Sequence, residues 1–60
     1  MNESIMKQRS EALVIALVGK EMAPDWWNSK NKAFGMETPK VRFESNPEQV
    51  YNYLMDYASR

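Results

Sequence analysis

Sixty residues, eight basic and eight acidic, with no cysteine and no histidine, make one small domain at most. A chain this short hides only roughly 60% of the surface it exposes when unfolded, and neither a disulfide nor a zinc site is open to it as a staple. The same absences remove the commonest general base and the reactive thiol, while the even charge lacks the basic excess that nucleic-acid binding calls for.

The spacing predicts a first helix over residues 3–18. Ile5, Met6, Leu13, Ala16 and Leu17 fall on one stripe, with Ala12 beside them. Asn2 or Ser4 suits the cap, Glu3 suits the positive end of the helix dipole, and Gly19 suits the stop, with Lys20 just beyond. From Ala12 to Val18 the run is apolar on all sides, so the helix is expected to be covered from more than one direction. Either neighbouring helices or a second chain would supply that cover, the second chain through Val14 and Val18.

Pro24 marks the first turn of a short second helix running through Asp25, Trp26, Trp27 and Asn28. Adjacent residues on a helix point about 100° apart, so one tryptophan is expected in the core and the other at its rim or at an interface. Asn28 to Lys32 is polar, Ala33 and Phe34 return to the core, and Gly35 breaks the chain. Thr38-Pro39 then reads as a capped helix start, followed by one short turn that buries Val41 and Phe43. Asn46-Pro47-Glu48-Gln49 repeats the device, with Gln49 placed to reach back as in a capping box. The last helix is expected from Pro47 to about Ala58. Val50, Tyr53, Leu54 and Tyr57 form its core stripe, Tyr51 and Met55 lie on an adjacent one, and Asn52, Asp56 and Ser59 face water. The five methionines are scattered and read as gap fillers. Residues 1–60 thus make a single all-α domain, a compact bundle of three to four short helices.

No apolar run approaches the ~20 residues of a membrane-spanning helix. Lys7 and Arg9 precede Ala12–Val18 as in a secretory leader, but Glu3 and Glu11 interrupt that basic region. Lys20 and Glu21 stand where small residues would be needed for cleavage, and the chain is read as cytoplasmic. Lys30, Lys32, Lys40 and Arg42, diluted by Glu37, read as a solvated surface and not as a nucleic-acid contact. A water-excluding pocket is hard to enclose in so small a chain, so an enzyme is not expected, and no catalytic, cofactor or metal residue is assigned.

From Trp26 the sequence runs Trp26-Trp27-Asn28-Ser29-Lys30-Asn31-Lys32-Ala33-Phe34-Gly35, then Thr38-Pro39, then Asn46-Pro47-Glu48-Gln49-Val50-Tyr51-Asn52-Tyr53-Leu54-Met55. In order and spacing this resembles the toxin-binding domain of the MbcA/ParS/Xre antitoxins, most strongly over residues 26–57. That family places a tryptophan in a helix, a polar step into an Ala-Leu/Phe-Gly turn, a Thr/Ser-Pro helix start and a last helix opening near a proline. The resemblance implies a helical module that neutralises a toxin of the RES fold, an NAD-consuming enzyme, by packing over its active site. It also implies that the C-terminal end lies near the toxin's cleft; the helix-turn-helix usual in full-length members finds no room in these sixty residues. The family's glycine-containing tail has no counterpart in Tyr57-Ala58-Ser59-Arg60, so Arg60 with its carboxylate stands where that tail would enter.

Large aromatics most often anchor binding energy, and an apolar strip off the main stripe points to contact with a neighbour. Trp27, Tyr51, Met55 and Tyr57 are therefore candidate partner-binding residues, and the resemblance adds Ser59 and Arg60 at the C-terminal end. The partner is a protein, either the RES-type toxin or, in the alternative, a host protein bound by a small adaptor or mobile-element accessory protein of the same fold. That alternative also allows a homo-oligomer through Val14 and Val18.

Overall fold

A computed structural model describes all of residues 1–60 and contains helices only. The first, α1, spans Glu3–Val18, and its cap is Asn2, whose Oδ1 accepts the Ile5 N–H at 2.8 Å. It ends at Gly19, with φ 93° and ψ 155°, a region essentially closed to residues with a Cβ. The buried line of α1 is Met6, Ser10 and Val14, spaced four apart, with Leu13 half-buried beside it. This corrects the expected stripe: Ile5, Ala12, Ala16 and Leu17 are exposed. A polar serine at the centre of the true line hid it from a pattern drawn on apolar residues alone.

The next helix, α2 (Ala23–Asn28), begins one turn after Gly19, whose carbonyl accepts the Ala23 N–H at 3.0 Å. Pro24 occupies the first turn, where its missing N–H leaves no bond unmade. Asn28 Nδ2 donates to the Pro24 carbonyl and Ser29 Oγ to that of Asp25, closing the helix end. The loop that follows is organised by Asn31. Its Oδ1 accepts from Ala33 N, its carbonyl accepts from both Phe34 N and Met36 N, and its own N–H donates to the Glu37 carbonyl. These bonds wind Lys32–Phe34 into a single 3-10 turn ended by Gly35 in the left-handed conformation, φ 63°. Phe34 is thereby driven inward and is almost wholly buried, whereas Ala33, expected beside it in the core, is exposed.

Helix α3 (Pro39–Ser45) is capped by Thr38 Oγ1, which accepts from Val41 N. Pro39 and Phe43, four residues apart, are its buried pair. Val41 lies two residues from each, about 200° round the helix, and is exposed, contrary to expectation. Helix α4 (Pro47–Ala58) is capped by Asn46, whose Oδ1 accepts from Gln49 N at 3.3 Å. The reciprocal half of a capping box does not form. The Asn46 N–H donates instead to the Arg42 carbonyl, and Gln49 Oε1 accepts from Arg42 Nη1 at 2.9 Å.

The core consists of Met6, Val14, Ala23, Phe34, Phe43, Val50 and Leu54. Trp26, Trp27, Leu13, Tyr51 and Tyr53 are half-buried against it. Its main seam is α1 against α4, with α2 and α3 closing one side. With overall dimensions of 27 × 22 × 21 Å the molecule is about two helix diameters across, which explains why so few side chains are enclosed. Tyr57 falls outside this core, correcting its assignment to the α4 core stripe; it lies on the last turn and is 51% exposed.

Ser10 Oγ is fully buried and has no hydrogen-bond partner. A buried hydroxyl left unpaired costs about 1–3 kcal/mol, and alanine is the better helix former. Ser10→Ala is therefore expected to raise the thermal midpoint by several degrees in a calorimetric scan. A fall in the midpoint would show that the hydroxyl is bonded after all.

Candidate protein-docking site

The C-terminal ends of α1 and α4 flank an open groove of about 150 Å³. All seven residues lining it are apolar or aromatic, and none carries a charge. Val14 and Leu54 are the deeply buried part of the lining, Trp26 and Tyr53 are half-buried, and Leu17, Val18 and Tyr57 stand exposed at the rim. Leu17 and Val18 are there because the bundle covers α1 only along the Met6–Ser10–Val14 line. The all-apolar turn of α1 thus has one side in the core, while Leu17, Val18 and Ile15 keep 38%, 37% and 44% of their surface open.

The groove is tied to the core by stacked aromatics. Tyr57 lies 6.2 Å from Tyr53, Tyr53 lies 5.2 Å from Phe34, and Trp26 meets Phe34 edge-on at 6.5 Å. The two contacts with Phe34 are edge-to-face and the Tyr53–Tyr57 pair is tilted, so Trp26 and Tyr53 are the ring-anchored part of the groove wall.

The candidate partner-binding residues are spread over three faces. Tyr57 lines the groove; Arg60 does not, its guanidinium lying 5.8 Å from the Tyr57 ring and paired with Asp56 at 3.0 Å. Ser59 turns its hydroxyl to the Asp56 carbonyl. Tyr51 and Met55 lie on another side of α4, where with Ala12 and Leu13 they line a shallower depression. Trp27 faces away from the groove towards Lys7 and Phe43. Neither tryptophan is the core residue or the rim residue of the expected division. Both are half-buried, packed edge-to-face at 5.1 Å, and each floors a different depression. Val14 and Val18, expected to meet a second chain together, part company: Val14 is 1% exposed and lies within the core, so only Val18 is accessible. Leu17, Trp26, Tyr53 and Leu54 line the groove without being among the candidate partner-binding residues. The available signal was the apolar circumference of residues 12–18, which exceeds what three short neighbours can cover.

No three carboxylates converge on a common point, and no helix is long and apolar enough to cross a membrane. Of the supposed basic surface, Arg42 is committed to the fold, bonded to Glu37, Gln49 and the Phe34 carbonyl. Fold and site together define a small all-α domain that presents a wholly apolar, aromatic-backed groove. No protein-family model, curated protein or solved structure matches the chain.

Proposed function

We propose that the chain is a protein-binding module, without catalysis of its own, that docks onto its partner through the α1–α4 groove. The observation that carries this reading is the uncharged groove itself, lined by seven apolar or aromatic residues, with Leu17, Val18 and Tyr57 partly open to water at its rim. Burying an aliphatic side chain is worth about 1.5–3 kcal/mol, so one apolar anchor from a partner seated between those residues gains as much as a core contact. The resemblance of residues 26–57 to the toxin-binding domain of the MbcA/ParS/Xre antitoxins supplies the partner class. It is an NAD-consuming toxin of the RES fold, met in the cytoplasm, whose active site the module covers. Tyr57 and Arg60 are then the residues nearest the toxin's cleft.

Co-expression with the product of the adjacent reading frame tests this. Toxicity of that product should be relieved by the wild-type chain and not by Leu17→Glu, with both forms equally helical by circular dichroism. A carboxylate forced into an apolar contact should weaken association about a hundredfold or more. Exposure of Ile15, Leu17 and Val18 along one helix end also favours the second reading, self-association through α1. Concentration-dependent sedimentation abolished by Leu17→Glu, with no relief of toxicity, would support it instead.

A further inference from the structure

Trp27, the tryptophan that faces away from the groove, floors the largest depression on the molecule, about 550 Å³ between α1, α2 and α3. Around it stand three lysines drawn from separate parts of the chain: Lys7 from α1, Lys20 from the turn after Gly19 and Lys40 from the start of α3. The only acid lining it is Glu11. The two ion pairs of the molecule, Arg42–Glu37 and Arg60–Asp56, involve none of these lysines, so all three ammonium groups are unpaired. Lys7 Nζ lies over two rings, 5.9 Å from the centre of Trp27 and 5.3 Å from that of Phe43, which attract the ammonium without neutralising it. Ile15 and Pro24 add apolar wall beside the Trp27 ring.

We infer that this depression is a second docking site, distinct from the α1–α4 groove, for an acidic peptide segment of a protein partner. Carboxylates of the segment pair with Lys7, Lys20 and Lys40, and one apolar side chain lies against Trp27 and Ile15. Charge complementarity names the occupant: three unpaired ammonium groups against one carboxylate select an anion, and the apolar floor selects a chain with an apolar side group beside its acids. A nucleic acid fits the same surface less well. Its affinity grows with the number of phosphates neutralised, and three lysines on a chain of even charge neutralise few. Trp26 of the groove and Trp27 of the basic site touch edge-to-face, so one pair of tryptophans contributes to both linings.

The test titrates the whole chain with a blocked peptide of alternating glutamate and leucine, followed by tryptophan fluorescence and calorimetry. A peptide with glutamine for glutamate and an oligothymidylate of equal charge serve as the other probes. The glutamate peptide should bind, and the glutamine peptide should bind at least tenfold more weakly. The double variant Lys20→Glu, Lys40→Glu should lose at least tenfold in affinity, while the charge-matched Lys30→Glu, Lys32→Glu should lose less than threefold. All four positions are exposed, so both variants should keep the wild-type helical signal. Leu17→Glu should bind the peptide as the wild type does, which separates this site from the groove. Equal losses in the two lysine variants would reduce the effect to net charge and overturn the site. So would absence of binding at millimolar peptide, or tighter, steeply salt-dependent binding of the oligothymidylate.

Discussion

Phe34→Ala is expected to abolish cooperative folding at 37 °C. The ring is almost wholly buried at the centre of the core and touches Trp26 and Tyr53 edge-on. Truncating a buried phenylalanine costs about 3–5 kcal/mol, through lost transfer energy and the cavity left behind. A domain of this length holds only about 3–9 kcal/mol in total. The substitution therefore takes most or all of the stability, and thermal melting should show a shallow, non-cooperative loss of helix in place of a transition. Phe34→Leu, which refills much of the volume, should keep a transition at a cost of about 1–1.5 kcal/mol. A cooperative melt for the alanine variant within a few degrees of wild type would mean that the core closes without this ring.

Arg42→Ala should be nearly as damaging, although Arg42 lies at the edge of the bundle. Its side chain is 25% exposed, and the guanidinium makes three bonds in three directions: Nε to Glu37 Oε1 at 2.7 Å, Nη1 to Gln49 Oε1 at 2.9 Å, and Nη2 to the Phe34 carbonyl at 2.9 Å. One planar group thus joins α3 to α4 and to the loop that drives Phe34 inward. The exposed pair with Glu37 is worth little alone, but hydrogen bonds from a charged donor to partly buried acceptors contribute about 1.5–3 kcal/mol each. After allowance for solvent competition, a loss of about 2–3 kcal/mol is expected. In so small a domain that lowers the thermal midpoint by about 10–20 °C. Arg42→Lys should recover less than half, because an ammonium cannot span three separated acceptors as a planar fork does. Salt supplies the discriminating readout. At 1 M ionic strength the Debye length is about 3 Å and a surface ion pair is screened. Bonds to a carbonyl and an amide persist, so the difference between wild type and Arg42→Ala should survive in high salt. Its disappearance there would leave only the Glu37 pair as the role of Arg42.

The starts of the α-helices were legible from the sequence because each carries a local chemical mark, although α3 runs seven residues where one short turn was expected. Asn2, Pro24, Thr38-Pro39 and Asn46-Pro47 act on backbone groups within a few residues of themselves, as Gly19 and Gly35 do at the ends. Which face turns inward was harder to read, since that depends on neighbours distant in the chain. Between Ala12 and Val18 no polar residue sets an orientation, and a serine occupies the centre of the buried line. On α3, Val41 and Phe43 differ in fate only through the direction from which α2 and α4 approach. The guanidinium at Arg42 was equally hidden, because its partners lie five, seven and eight residues away and two of them belong to other elements. For the groove, Tyr57 and Val18 were each legible as surface apolar residues. Their meeting was not, since the pattern within one helix does not specify which turn of another lies beside it.

The apolar circumference of α1 and the small core are two sides of one fact. A bundle this narrow buries one line of its longest helix and leaves Ile15, Leu17 and Val18 partly open to water, a cost that the proposed docking would recover. The claim that they exist for docking is tested most directly by the affinity of the tagged chain for the adjacent-gene product. Wild type, Leu17→Glu and Val41→Glu are compared in parallel. Leu17 and Val41 are similarly exposed, but only Leu17 lines the groove. Docking through the groove predicts that Val41→Glu binds as tightly as wild type while Leu17→Glu loses about two orders of magnitude. Equal binding by all three proteins, or no binding by any, would contradict it.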